Sequence, residues 1–230
     1  MIFTECKVFV IIVAGGVGKR LGGELPKQFI TIKDKPIIVH TIDIFYNNLS
    51  NIEIIVSINK DWKEYWLNIK RKFISEKLKT VEGGSERFFS VKNALNNITS
   101  YSENDIVIVH DAVRPIVSKN LLSRLLKKTL DSDSAIPYIP VEQTMRKIVD
   151  TNVMKTQPTD RNKYILIQTP QVFKVAKLKE AYKQSYSNKF TDDAAVFETK
   201  GFKLHYVKGE RTNMKITYQD DLQLATCLLY

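Results

Sequence analysis

The 230 residues, 43% hydrophobic and 26% charged, have the balance of an ordinary soluble globular protein and suit one large α/β domain better than two small ones. No run reaches the ~20 apolar residues of a membrane span, and Cys6 and Cys227 stand alone, outside any CxxC or Cys/His pattern, which excludes a zinc site and a disulfide framework and suits a reducing cytoplasm. The net charge of +10 fits a nucleic-acid face, a pocket for polyanionic small molecules, or a lysine-rich surface with no partner at all, because the lysines are scattered and form no block.

In chain order, the first element is the apolar run Val8–Val13. Glu5 precedes it and no small-residue cleavage site closes it, so it reads as a buried parallel strand and not as a signal-peptide core. Ile52–Ile58, Leu78–Glu82, Ile106–His110 and Ser134–Ile139 are further strands, rich in Val and Ile. Between them Pro36–Tyr46, Asp61–Phe73, Glu86–Leu95 and Lys119–Leu130 carry apolar residues at helical spacing. Such alternation predicts a Rossmann-like three-layer α/β sandwich, a mainly parallel twisted sheet with helices on both faces, in one domain spanning residues 1–230. From 141 to 168 the helical stripe disappears, and Thr151-Asn152-Val153 resembles a hairpin tip. We expect a protruding antiparallel arm there, and two strands rarely stay ordered alone in water, so the arm should pack on another subunit. Val175–Tyr186 and Asp192–Thr199 then read as helices, Lys203–Val207 as a strand and Asp220–Leu229 as a closing helix.

The strongest chemical signal follows the first strand, in VAGGVGKRLGGELPKQF at 13–29. Glycines let backbone N–H groups approach a phosphate, and Arg20 and Lys27 place positive charge beside them. It is neither a P-loop, since Gly18-Lys19 is followed by Arg20 and position 13 is Val, nor a dinucleotide fingerprint, since Gly16 and Gly18 are followed by Leu21. A plain glycine-rich turn remains the competing reading. Asp111 follows a strand, where a carboxylate can hold Mg²⁺, although Asp is equally favoured as a helix N-cap.

Gly-x-Gly-x-Arg followed by Pro26-Lys27-Gln28 resembles the signature of the sugar-phosphate nucleotidyltransferases. GGSERFFSV (83–91), HDAVRP (110–115), TDRNKYILIQTPQVF (159–173), FTDDAAVFE and NMKIT follow in the order seen in the methylerythritol phosphate cytidylyltransferases, and the resemblance runs from about residue 8 to residue 228. It implies a cytidylyltransferase of the non-mevalonate isoprenoid route that transfers CMP from CTP to 2-C-methyl-D-erythritol 4-phosphate with release of pyrophosphate. Arg20, Lys27 and Lys215 would carry the phosphate chemistry. Ala14, Gly15, Gly16, Gly18, Gly84, Ser85, Ser90 and Ala112 would hold the nucleotide, and Asp111 would take Mg²⁺ or another divalent cation. Asp111, Arg114, Thr144, Arg161, Thr169 and Thr191 would bind the acceptor, with Arg161 suited to clamp a phosphate through two parallel hydrogen bonds. The arm would reach the neighbouring subunit's pocket, which makes a homodimer the active form.

Bland alternatives stand beside these roles: Ser90 as helix capping, and Lys215 as one more surface lysine. Ser85 replaces a frequent acid, Gln143 replaces the usual Asp before Thr144, and Thr212-Asn213 supplies no acid for a second metal carboxylate. His40, His110 and His205 form no catalytic pattern and read as structural. The rival acceptor is a pentitol phosphate of the ribitol 5-phosphate type. From other classes, a dinucleotide-binding oxidoreductase lacks its third glycine, and a nucleic-acid module lacks a basic stripe with interleaved aromatics.

Overall fold

A computed structural model describes residues 6–16, 25–75 and 77–229. Its framework is an eight-stranded sheet with the order β10-β7-β11-β6-β1-β4-β5, and with β12 beside β7. The central strands β1 (Val8–Ala14), β4 (Ile52–Ile58), β5 (Leu78–Glu82) and β6 (Ile106–Asp111) are all parallel. β1 and β6 are covered on both faces, which is why they read as nearly unbroken Val/Ile runs.

Alternation along β1 builds the two flanking layers. Val8, Val10 and Ile12 pack with α1 (Ile37–Asn48), α2 (Lys63–Phe73) and α4 (Lys119–Ser132). Phe9 and Ile11 point to the other face, against α3 (Arg87–Asn96), α5 (Val175–Ala181) and α6 (Asp193–Thr199). A third apolar cluster joins the hairpin of β2 (Thr31–Ile32) and β3 (Lys35–Pro36) to α7 (Gln219–Leu228) through Ile32, Ile37, Val113, Ile216 and Ala225. The three-layer expectation therefore holds. Among the described residues no helix is long and apolar enough to cross a membrane.

The second half of the sheet is more mixed than the alternation pattern suggested. β7 (Ser134–Pro140) is separated from β6 by β11 (Gln171–Lys174), which runs antiparallel to both. β10 (Ile165–Ile167) pairs antiparallel with the later residues of β7, on the edge it shares with β11, so the stretch 141–168 is not all arm. The projecting ribbon is β8 (Met145–Asp150) with β9 (Lys155–Thr159), antiparallel, with a bulge between Ile148 and Asp150 and the expected turn at its tip. The closing strand β12 lies at Tyr206–Lys208, slightly later than predicted, and the helix expected over Val175–Tyr186 ends at Ala181.

Sheet order reverses beside β1: the chain moves outward through β4 and β5, then crosses back to β6 on the other side. The carboxyl ends of β1 and β6 therefore open side by side, the position where open α/β sheets bind ligands.

Candidate active site

A cleft of about 460 Å³ sits at that switch point. Its walls are residues 13–16 at the end of β1, Lys27 and Gln28, the segment Gly84–Arg87 with Ser90, residues 111–113 at the end of β6, and Lys215. Lys27 stands in a short 3-10 turn, Lys27–Phe29. Its neighbour Gln28 is buried, and its side-chain amide donates to the carbonyls of Ala14 (2.8 Å) and Gly16 (3.1 Å). With those carbonyls engaged, the mouth of the glycine loop is pinned beside Lys27. Gly18 and Arg20 lie outside the described residues.

Ser90, in the first turn and a half of α3, is buried beneath the loop 83–86. Its Oγ accepts from the Gly84 N–H at 3.1 Å and donates to the Glu86 carbonyl at 3.2 Å. Ser90 thus shapes the loop that Gly84 and Ser85 present to the cleft. A Cβ on Gly84 would lie 2.2 Å from Phe89 Cβ and 3.1 Å from its carbonyl carbon. Gly84→Ala must therefore push the loop off α3. We expect a fall in kcat/KM for CTP of about a hundredfold, the usual consequence of an ångström of misplacement. Overpacking of about 1–3 kcal/mol should accompany it as a lower melting temperature; unchanged kinetics for CTP would remove this loop from nucleotide binding.

Asp111 closes β6 and is the focus of the charge. Its Oδ2 takes the Lys215 ammonium at 3.0 Å and Arg114 Nε at 3.3 Å, while Oδ1 faces Arg87 Nε at 3.8 Å. Burial alone would raise the Asp111 pKa, but Lys215, Arg87 and Arg114 outweigh it and hold the carboxyl well below the usual range. It is an ionised carboxylate at any working pH.

The elements behind it fix this geometry. Thr169 Oγ1 accepts from the Asp111 N–H at 3.1 Å and lies 3.0 Å from His110 Nδ1. His110 Nε2 lies 3.0 Å from the Arg114 carbonyl, which can only accept, so Nε2 carries the proton and Nδ1 accepts from the Thr169 hydroxyl. Burial pushes the His110 pKa down to about 4, consistent with this neutral, structural histidine. Ala112 lines the cleft, with its N–H on Val13 and its carbonyl taking the Thr41 hydroxyl. Lys215 is placed by Asn213 and Ile216 on either side. Asn213 donates to the Thr169 carbonyl (2.8 Å), and the Ile216 N–H bonds the Val113 carbonyl. Gln168 and Arg114 both donate to the Asn213 carbonyl.

The structure thus gathers Ala14, Gly15, Gly16, Lys27, Gly84, Ser85, Ser90, Asp111, Ala112 and Lys215 around one cleft. Arg114 and Thr169 stand behind Asp111 and hold it, in place of facing the cleft. Thr144, Arg161 and Thr191 are exposed and are not among the residues lining it; Arg161, just past β9, donates to the Glu142 carbonyl at the base of the arm.

Sequence reasoning assigned no role to Gln28, Arg87, Gln168, Asp193 or Asn213. All five fell inside quoted motifs, and for Gln28 and Arg87 a polar side chain directly before a phenylalanine was the available signal. The two acids of TDDAA divide their work: Asp192 caps α6 through the Ala195 N–H, while Asp193, fully buried, pairs with Arg87 at 2.6 Å.

With this geometry in view, the family model for 2-C-methyl-D-erythritol 4-phosphate cytidylyltransferase (IspD) matches residues 8–230. The chain is 39% identical over 221 residues to the protein of that name from Phocaeicola vulgatus, covering 96% of this chain and 98% of the relative. It is 38% identical to the Bacteroides thetaiotaomicron protein of the same name, covering 97% and 100%. Among solved structures it is similar to the Francisella tularensis 2-C-methyl-D-erythritol 4-phosphate cytidylyltransferase, at 33% identity and a TM-score of 0.81 over 97% of this chain and all of that one.

Proposed function

The chain belongs to the 2-C-methyl-D-erythritol 4-phosphate cytidylyltransferase family and transfers CMP from CTP to that acceptor with release of pyrophosphate; we propose that the cleft between β1 and β6 is where it does so. The observation that carries the assignment is Asp111, ionised at the end of β6 and held by Lys215 beside the glycine loop that leaves β1.

The reaction is an in-line displacement at the α-phosphorus of CTP by an acceptor phosphate oxygen. A phosphate monoester has its second pKa at about 6 and is already largely dianionic near neutrality, so no general base is required. Repulsion between two polyanions is the obstacle, and cations fixed in advance lower it. Arg20 and Lys27 belong on the triphosphate, Lys215 on the α-phosphate, and the pinned backbone of Ala14–Gly16 beside them. Gly84 and Ser85 read the base through their backbone, over the floor that Ser90 builds.

The donor set suits Mg²⁺ bound chiefly by substrate. Among the described residues no group of three His, Cys, Asp or Glu side chains forms a metal cage, and Asp111 offers only Oδ1, since Oδ2 is taken by Lys215 and Arg114. One carboxylate oxygen completed by phosphates and water is the usual mode for this ion. When bound, Mg²⁺ supplies charge neutralisation on the triphosphate. The second lone pair of Oδ1 would accept from an acceptor hydroxyl.

The active form we propose is a homodimer. The exposed ribbon, with Ile148, Val149, Val153 and Met154 at its end, supports that reading, and Arg161 and Thr144 at its base would then serve the partner's cleft. Cys6 and Cys227 are unpaired, in keeping with the cytoplasm, where we place the enzyme.

Pyrophosphate release tests the acceptor assignment directly. With CTP and Mg²⁺, 2-C-methyl-D-erythritol 4-phosphate is expected to turn over at least about tenfold faster than ribitol 5-phosphate, the discrimination a few hydrogen bonds can supply. Equal or reversed rates would overturn the choice of acceptor, and no turnover with any polyol phosphate would overturn the reaction.

A further inference from the structure

Three cations converge on the Asp111 carboxylate, and only two of them are close enough to hydrogen-bond it. Lys215 and Arg114 bind Oδ2 at 3.0 and 3.3 Å, whereas Arg87 Nε stops 3.8 Å short of Oδ1, beyond hydrogen-bond reach. A guanidinium beside a poorly solvated carboxylate ordinarily closes to about 2.7–2.9 Å. What keeps Arg87 back is on its other side. Its terminal nitrogen is tied to Asp193 Oδ2 at 2.6 Å, and the second oxygen of Asp193 takes the Tyr182 hydroxyl, also at 2.6 Å. Asp193 is fully buried and Tyr182 nearly so, and Tyr182 is in turn stacked on Phe88, the residue after Arg87, at 4.8 Å between ring centroids. The anchor is therefore part of the core between α3, α5 and α6, and not a surface pairing free to exchange.

We infer that Asp193, set by Tyr182, is a positioning residue that tethers Arg87 away from Asp111 and so leaves Asp111 Oδ1 open to the acceptor. Without the tether the guanidinium would close on Oδ1 and compete with the acceptor for the same oxygen. The inference rests on the assignment of Asp111 to acceptor binding proposed above. It also gives the second acid of the TDD segment a function distinct from the helix cap supplied by the first.

The test is Asp193→Asn, alone and combined with Arg87→Gln, assayed at saturating Mg²⁺ with each substrate varied in turn. The single variant is expected to raise the acceptor KM about tenfold while the CTP KM stays within about twofold, a loss of acceptor binding and not of the nucleotide site. The double variant removes the competitor and leaves a neutral, matched pair, so the acceptor KM is expected back within about threefold of the parent, because replacing both members of a buried ion pair is tolerated where removing one is not. A merely structural role, which the matched pair would relieve as well, predicts instead that the CTP KM rises along with the acceptor KM in the single variant. Acceptor-induced stabilisation in thermal melts, which needs no turnover, should fall in the single variant and return in the double.

If Asp193→Asn does not fold, Tyr182→Phe replaces it and should give a smaller rise in acceptor KM that Arg87→Gln also cancels. Asp111→Asn separates the two levels of the argument. An unchanged acceptor KM there overturns the role of Asp111 itself. A raised KM there, with Asp193→Asn and Tyr182→Phe silent or with no rescue by Arg87→Gln, overturns the tether alone.

Discussion

Lys215→Ala is expected to lower kcat by at least about a hundredfold, the usual loss when one preorganised charge that meets the transition state is removed. The expectation comes from where the side chain is held. Asn213 and Ile216 are both anchored by hydrogen bonds to the strand ends, so the Lys215 ammonium reaches the cleft on a short, fixed segment and rests on Asp111 Oδ2 at 3.0 Å. It is nevertheless about 42% exposed, so its pair with Asp111 contributes little to folding once solvent screening is allowed for. Arg114 and Arg87 would still balance the carboxylate. The melting temperature should accordingly move by no more than about 4 °C, the shift that 1 kcal/mol produces in a domain of this size. Lys215→Arg restores the charge but spreads it over a plane and should recover only part of the rate. The same pattern is expected of Lys27→Ala and Arg20→Ala. A variant that melts much earlier while turning over normally would make its cation structural and remove it from the chemistry.

How much of this was legible in the sequence depended on whether the signal was local. β1 and β6 are enclosed by helices on both faces, so each is a continuous apolar run bounded by polar residues. This side of the cleft was legible for the same reason, because Gly15 and Gly16 directly follow β1 and Asp111 closes β6. β10 and β11 were not: they are three and four residues long and are separated by Gln168, Thr169 and Pro170, so neither offers a period to read. The pairing of Arg87 with Asp193 spans 106 residues, and nothing in either neighbourhood points to the other. Arg114 and Thr169 were expected to bind the acceptor, and only the geometry shows that they brace Asp111 from behind. Lys215 stood out only through the NMKIT motif, because by composition it is one lysine on a chain with 35 lysines and arginines.

Mixing two inactive variants should restore about a quarter of the parent activity, if each cleft takes Arg161 from the partner. Arg161 is exposed at the base of its own arm, is not among the residues lining its own cleft, and is held there by the Glu142 carbonyl. Lys27, by contrast, lines the cleft of the chain that carries it. Lys27→Ala and Arg161→Ala each disable both sites of a homodimer in which the two residues come from different chains. In the heterodimer one site receives both substitutions and the other neither. Random reassortment of equal amounts makes about half of the dimers heterodimers, by the two-fold symmetry of an isologous pair. Each of those has one intact site of two, hence roughly a quarter of the parent activity under the same symmetry. If Arg161 acted within its own chain, every site in the mixture would carry a substitution and the activity would stay at the level of the separate variants. Differently tagged chains report whether exchange has taken place. Demonstrated exchange without recovered activity would rule out the shared site, and a chain that remains monomeric at assay concentrations would rule out the dimer itself.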